Sequence, residues 1–242
     1  MIKKKPDFIQ ENYSPVFNRL FYWYTVLLFY RRFQAVWVDS SGHPLAGNSA
    51  LFIGNHNSWW DGLIPLLLNE EIYQLRGRAI MDEKQLLKRM FFRRLGVFSI
   101  NRDHPRKAMK TLEYAARMIN EAVPGEEVAL FIYPEGKLTG PSKQITIESG
   151  LVWLSRHLNP SKCEIVPFAT HIHSMRSHKP EMFIKIGNPI GPSIYQSGSM
   201  IIHATRTMEE IRKTCRQNSE TFLENGRPLG RFRLLIGSKP QA

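Results

Sequence analysis

The sequence predicts a single α/β domain with a mostly parallel or mixed central sheet flanked by helices, preceded by an N-terminal membrane-interfacial helical segment. Three observations predict it. Short apolar runs such as Ala50-Leu51-Phe52-Ile53 and Val128-Ala129-Leu130-Phe131-Ile132-Tyr133 alternate with stretches of helical spacing, as expected for strands buried on both faces. The connections are short, with neither an internal repeat nor a low-complexity linker, which favours strands and helices wound into one unit. The 242 residues are 43% hydrophobic, enough for one large domain with its own core.

Taken in order, residues 8 to 35 read as one helix or two. The run from Leu20 to Tyr30 is 11 residues long, bounded by Arg19 and by Arg31-Arg32. It is too short to span a bilayer, which needs about 20 residues, and is rich in the Trp and Tyr that favour the membrane interface. Residues 1–35 are therefore expected to lie in that interface with cationic ends on headgroups; the alternative is a buried core helix. Val36-Trp37-Val38 reads as a strand, and Ser41-Gly42-His43-Pro44 and Gly47-Asn48-Ser49 as turns. Ala50 to Ile53 is a core strand, followed by a helix to about residue 69. Arg78 to Met81 and Val97 to Ile100 are further strands, with a basic helix from Lys84 to Arg94 between them. Pro105 opens a helix with Met109, Leu112, Ala116 and Ile119 on one stripe, closed by Pro124-Gly125. After the strand Val128–Tyr133 come a helix over 148–158, strands over 165–170 and 182–186, and a polar helix over 204–224. Residues 36–225 make up the predicted domain. The basic tail, 226–242, is expected at the surface or on a membrane.

The net charge is +12 and the isoelectric point about 9.8, which favours an acidic partner: nucleic acid, an anionic membrane or a phosphorylated substrate. No nucleic-acid motif accompanies the charge, and the aromatics gather in the apolar N-terminal segment. A membrane surface explains both features, with no nucleic acid as partner. No secretory signal is apparent at the N-terminus. Cys163 and Cys215 stand far apart, outside any C-x-x-C pattern, and fit a reducing compartment. The expected location is the cytoplasmic face of a membrane.

Candidate chemistry lies at strand ends. His56 and Asp61 follow the strand Ala50–Ile53. A carboxylate that fixes an imidazole leaves its other nitrogen free to take a proton. At i and i+5 the two do not face each other on a regular helix, but they meet if His56 sits in the loop and Asp61 in the first helical turn. Arg102 follows the strand Val97–Ile100 and offers a fork of donors to a phosphate or carboxylate. Pro134-Glu135-Gly136 ends the strand Val128–Tyr133; the glutamate can hold a substrate hydroxyl, and the glycine admits a ligand close to the backbone. His171 and His173 share a strand face but have no evident third ligand, so no metal is expected.

These blocks occur in order: His56-x-x-x-x-Asp61, Gly96 to Arg102, Phe131 to Gly136, and Ile165-Val166-Pro167-Phe168. Over residues 36 to 190 the chain resembles the glycerolipid acyltransferases typified by lysophosphatidate acyltransferase. The resemblance implies a membrane-associated enzyme of phospholipid biosynthesis that moves a fatty acyl group from an acyl thioester, acyl-CoA or acyl-carrier protein, to a lipid hydroxyl. It implies no cofactor beyond that co-substrate. His56 then matches the catalytic base and Asp61 its orienter. Arg102 matches a residue that binds the acceptor phosphate, Glu135 and Gly136 match acceptor-binding positions, and Pro167 lies near the acyl site. Backbone N–H groups at the start of the helix after His56 are expected to meet the oxyanion. The third block departs from the pattern: Lys137-Leu138-Thr139 stands where phosphate-acceptor members continue with Thr or Ser and then Arg. Lys137 supplies charge without a bidentate fork. A lysophospholipid, a glycolipid or another lipid alcohol stays open as acceptor. A lipid or thioester hydrolase using the same pair and a non-enzymatic membrane-binding module are the rival readings.

Overall fold

The computed structural model describes residues 7–42, 44, 46–174, 177–195, 197–225 and 230–237. His43, the basic residues 1–6 and most of the predicted tail lie outside them. Among the described residues, helices α1 (Pro15–Arg32), α2 (Ile64–Leu68), α3 (Glu83–Lys88), α4 (Pro105–Asn120), α5 (Gly150–His157), α6 (Pro192–Tyr195) and α7 (Met200–Asn225) surround an eight-stranded sheet. The strands are β1 (Ala35–Asp39), β2 (Ser49–Gly54), β3 (Arg76–Asp82), β4 (Val97–Ile100), β5 (Val128–Ile132), β6 (Cys163–His173), β7 (Glu181–Ile186) and β8 (Arg233–Gly237). Their order is β4-β3-β5-β2-β6-β7-β1-β8.

The five strands from β4 to β6 run parallel. Every residue of β2 and β5 is buried, which explains their unbroken apolar sequences. Alternate side chains enter opposite cores. Leu51, Ile53, Leu130 and Ile165 face α4, α5 and α7, while Phe52, Phe131, Val166 and Phe168 face α1 and α2. The mixed part begins halfway along β6. Cys163 to Phe168 pairs with β2, and Phe168 to His173 pairs antiparallel with β7. The strand thus runs several residues beyond the end of β2.

Residues 8–35 hold one helix rather than two. Pro15 fills its first position, and the Ser14 side chain accepts the N–H of Phe17 at 3.3 Å, a start signal of the expected kind. Asn18, Tyr22, Thr25 and Phe29 are buried on the sheet side. Val16, Leu20, Trp23, Tyr24, Leu27 and Tyr30 point outward and are exposed. The all-round apolarity of the segment thus divides into a core face and an open face. Among the described residues no helix is long and apolar enough to cross a membrane.

Two further elements depart from expectation. The basic helix over 84–94 breaks at Arg89, where the backbone leaves helical geometry (φ −139°, ψ 55°), into α3 and a 3-10 turn, Met90–Leu95. Part of the predicted tail forms β8, an edge strand antiparallel to β1.

Candidate active site

β2, β4 and β5 all end at the same edge of the parallel sheet, and the loops leaving them converge, as open α/β sheets dictate. β2 ends at Gly54, where any side chain would strike the Phe168 ring 2.2 Å away. Next to it, the Asn55 side chain prolongs the ladder with β6. It accepts the N–H of Thr170 at 2.8 Å and donates to the Thr170 carbonyl at 3.2 Å. His56 therefore leaves the sheet from a fixed point.

Asp61 sits in the 3-10 turn Trp59–Gly62, capped by Ser58, and is fully buried. Its Oδ2 lies 3.3 Å from His56 Nδ1 and accepts the N–H groups of Asn57 at 2.8 Å and Ser58 at 2.7 Å. Its Oδ1 accepts the Thr170 hydroxyl at 3.0 Å. A buried carboxylate needs such partners. Turned to Asp61, the imidazole offers Nε2 as its remaining nitrogen. Tyr133 stacks on it, ring centroids 4.6 Å apart, and donates its hydroxyl to the Asp61 carbonyl. Burial, with Asp61 nearby, holds that phenol well above its ordinary range, so it stays a donor.

Several backbone donors around the turn are already engaged. The N–H groups of Asn57 and Ser58 serve the Asp61 carboxylate, that of Trp60 the Ser58 hydroxyl, and that of Asp61 the Ser58 carbonyl. The turn spends these donors on holding itself together.

Glu135 faces inward, 2% exposed. Its Oε1 accepts the N–H of His56 at 2.8 Å, and its Oε2 is buried without a hydrogen-bond partner among the described residues. Gly136 adopts φ +66°, the left-handed region that favours glycine. A side chain there would also lie 2.6 Å from Arg102 Cζ. Arg102 lies over this glycine, donating to its carbonyl through Nη1 and to Glu148 Oε1 at 3.1 Å through Nη2. The chain then returns to the histidine, Thr139 donating its N–H to the His56 carbonyl at 2.7 Å. Lys137 is exposed just past Gly136. His56, Asp61, Glu135, Gly136 and Arg102 are thus linked through one network. Pro167 sits apart, buried in β6 opposite Ile53, with its ring beside Gly187.

Thr170, Tyr133, Asn55 and Glu148 complete the network and were not anticipated. Tyr133 directly precedes Pro134, and Thr170 ends the predicted strand after Pro167, so closeness to motif residues was the available signal. His171 and His173 lie farther along β6; burial, and then His173, hold His171 below its ordinary range. Among the described residues no three or more His, Cys, Asp or Glu side chains cluster to hold a metal. Cys163 and Cys215 are free and buried.

A family model described as Acyltransferase matches residues 34–171. No curated protein matches the chain. Among solved structures, the crystal structure of the 1-acyl-sn-glycerophosphate (LPA) acyltransferase PlsC from Thermotoga maritima is similar, with a TM-score of 0.54 and 17% identity, over 83% of this chain and 79% of that one. At that identity the likeness shows a shared fold. The family match spans more than half of the chain and takes in His56, Asp61, Arg102, Glu135 and Pro167, so the chain belongs to the acyltransferase family.

Proposed function

We propose that the protein transfers a fatty acyl group from an acyl thioester, acyl-CoA or acyl-carrier protein, to a hydroxyl of a lyso-glycerophospholipid or related lipid. The observation that carries this reading is His56 oriented by a fully buried Asp61, with Nδ1 and Oδ2 3.3 Å apart. Nε2 takes the proton of the acceptor hydroxyl, and the oxygen attacks the thioester carbonyl. The C–S bond breaks, and the thiolate leaves with the proton from Nε2. Neither a serine nor a cysteine forms a covalent intermediate. Glu135 and Tyr133 hold the histidine loop and ring, and Arg102 and Lys137 supply positive charge to an anionic acceptor headgroup. Gly136 lets Arg102 lie against the backbone, and Pro167 supports the acyl side of the site.

The reaction takes place at the cytoplasmic face of a membrane, where both the acceptor and the outward face of α1 are accommodated. The acceptor is narrowed by two observations. Lys137 replaces a forked donor with a point charge, and Arg102 already shares Glu148. A lysophospholipid whose headgroup needs only one forked donor therefore fits better than a lysophosphatidate bound through two arginines.

The test is mass spectrometry of lipids after incubation with acyl-CoA and a mixed lyso-lipid pool. Acylated lipid is expected; free fatty acid alone would identify a hydrolase, and no thioester consumption with either donor class a binding module. His56→Ala should lower the rate about a hundred- to ten-thousandfold. A wild-type rate in that variant would overturn the assignment of the base.

A further inference from the structure

The segment from Glu83 to Leu95 carries five Lys or Arg and one acid. Its break at Arg89 separates the side chains that enter the core from those that do not. Leu86 and Phe92 are buried, whereas Leu87, Met90 and Phe91 are 58%, 43% and 42% exposed. Lys84, Lys88 and Arg94 are exposed around them. Single exposed apolar side chains are ordinary, but a contiguous cluster of them rimmed by polar groups is not.

This cluster adjoins α1. The Phe21 ring lies 5.6 Å from Phe91 and 6.2 Å from Phe92, and Arg94 lies over the Phe17 ring at 5.6 Å. The extended stretch before α1 is bonded to the same turn, Asn12 and Ser14 donating to the Arg93 and Arg94 carbonyls at 3.0 Å. The outward face of α1 adds Val16, Leu20, Trp23, Tyr24, Leu27 and Tyr30. Its charged residues are three arginines and no acid, with Arg19 5.6 Å from the Trp23 ring. Aliphatic, Trp and Tyr side chains framed by cations suit the headgroup zone of an anionic bilayer.

We infer that α3 and the turn Met90–Leu95 form a second membrane contact beside α1, and that the occupant of this joint surface is an anionic phospholipid bilayer. The inference rests on the membrane-surface reading above and adds to it a second anchoring element. Two anchors fix the orientation of the domain about the helix axis, whereas one helix leaves it free to roll. They also raise affinity together, because the second contact forms at the high local concentration set by the first.

The test is co-sedimentation of the full chain with phosphatidylcholine vesicles, with and without phosphatidylglycerol. Leu87→Ser combined with Met90→Ser removes the apolar tips; Lys88→Gln combined with Arg94→Gln removes two cations. Both pairs are exposed, and circular dichroism checks the fold. Each pair should weaken binding to phosphatidylglycerol vesicles by about tenfold or more, and the loss from the charge pair should vanish on phosphatidylcholine alone. If both pairs bind like wild type while Trp23→Ser combined with Leu27→Ser binds poorly, α1 docks alone: the membrane reading survives and the second contact does not. If the wild-type chain ignores both vesicles, both readings fall. If sedimentation velocity shows a wild-type dimer that Leu87→Ser with Met90→Ser converts to monomer, the surface belongs to a second copy and the inference is overturned.

Discussion

Thr170 shows how the site depends on side chains remote in sequence. Its hydroxyl is the donor to Asp61 Oδ1, 109 residues away along the chain. It reaches there because β6 overruns β2 and because Asn55 fixes its backbone. Hydrogen bonds to a charged group contribute about 1.5–3 kcal/mol. Thr170→Val should therefore lower kcat roughly tenfold or more through a misplaced His56, with little change in KM and an unaltered circular dichroism spectrum. Thr170→Ser should restore the rate. Loss confined to KM, or no rescue by serine, would remove Thr170 from the positioning of Asp61. His56 and Asp61 could be read from the sequence because they are five residues apart in one loop. Thr170 and Tyr133 could not be assigned roles, because their partnership with Asp61 exists only once β2, β5 and β6 lie side by side.

Among the elements, α1 is the clearest case of one sequence pattern serving two environments. Apolar residues on every side favoured a membrane-lying helix, with a core helix as the alternative; the structure buries one face and leaves the other exposed. Phe29 is fully buried, its ring stacked 5.4 Å from Phe33, and Trp60, in the turn that holds Asp61, lies 5.3 Å away. Phe29→Ala should destabilise the domain by about 3–5 kcal/mol, seen as a large fall in Tm. Outward changes such as Leu27→Ser should stay within about 0.5 kcal/mol. Deletion of residues 1–35 would strip the buried Tyr22, Phe29 and Phe33 from the core, so point substitutions are the better probe of membrane docking. The core strands were legible from their unbroken apolar runs. β8 was not, because Leu234-Leu235-Ile236 is a three-residue apolar run inside a basic tail, and short edge strands carry little pattern. The break at Arg89 was hidden as well, since Leu87, Met90 and Phe91 keep a spacing compatible with one helix.

For the whole molecule, the alternation of strands and helices with short connections was enough to predict one α/β domain with a mixed sheet. The strand order was not, because nothing in local sequence tells β1 that its neighbours are β7 and β8. That order has a consequence for how the chain is made. Ala35 pairs with Glu181 and with Gly237, so β1 leaves the ribosome with no partner until about 150 residues later, roughly 7–30 s at ordinary rates of synthesis. Meanwhile β2 to β6 can already assemble, and α1 waits with Met182 and Ile184 missing from its core face. A chain truncated after residue 174 should therefore be cut readily by protease around residues 35–39 while its β2–β5 region resists; equal protection of both would mean that β1 finds another partner first. β1 is thus fastened only after the parallel strands have been made, and α1 stays uncommitted, with an apolar face open, until β7 follows.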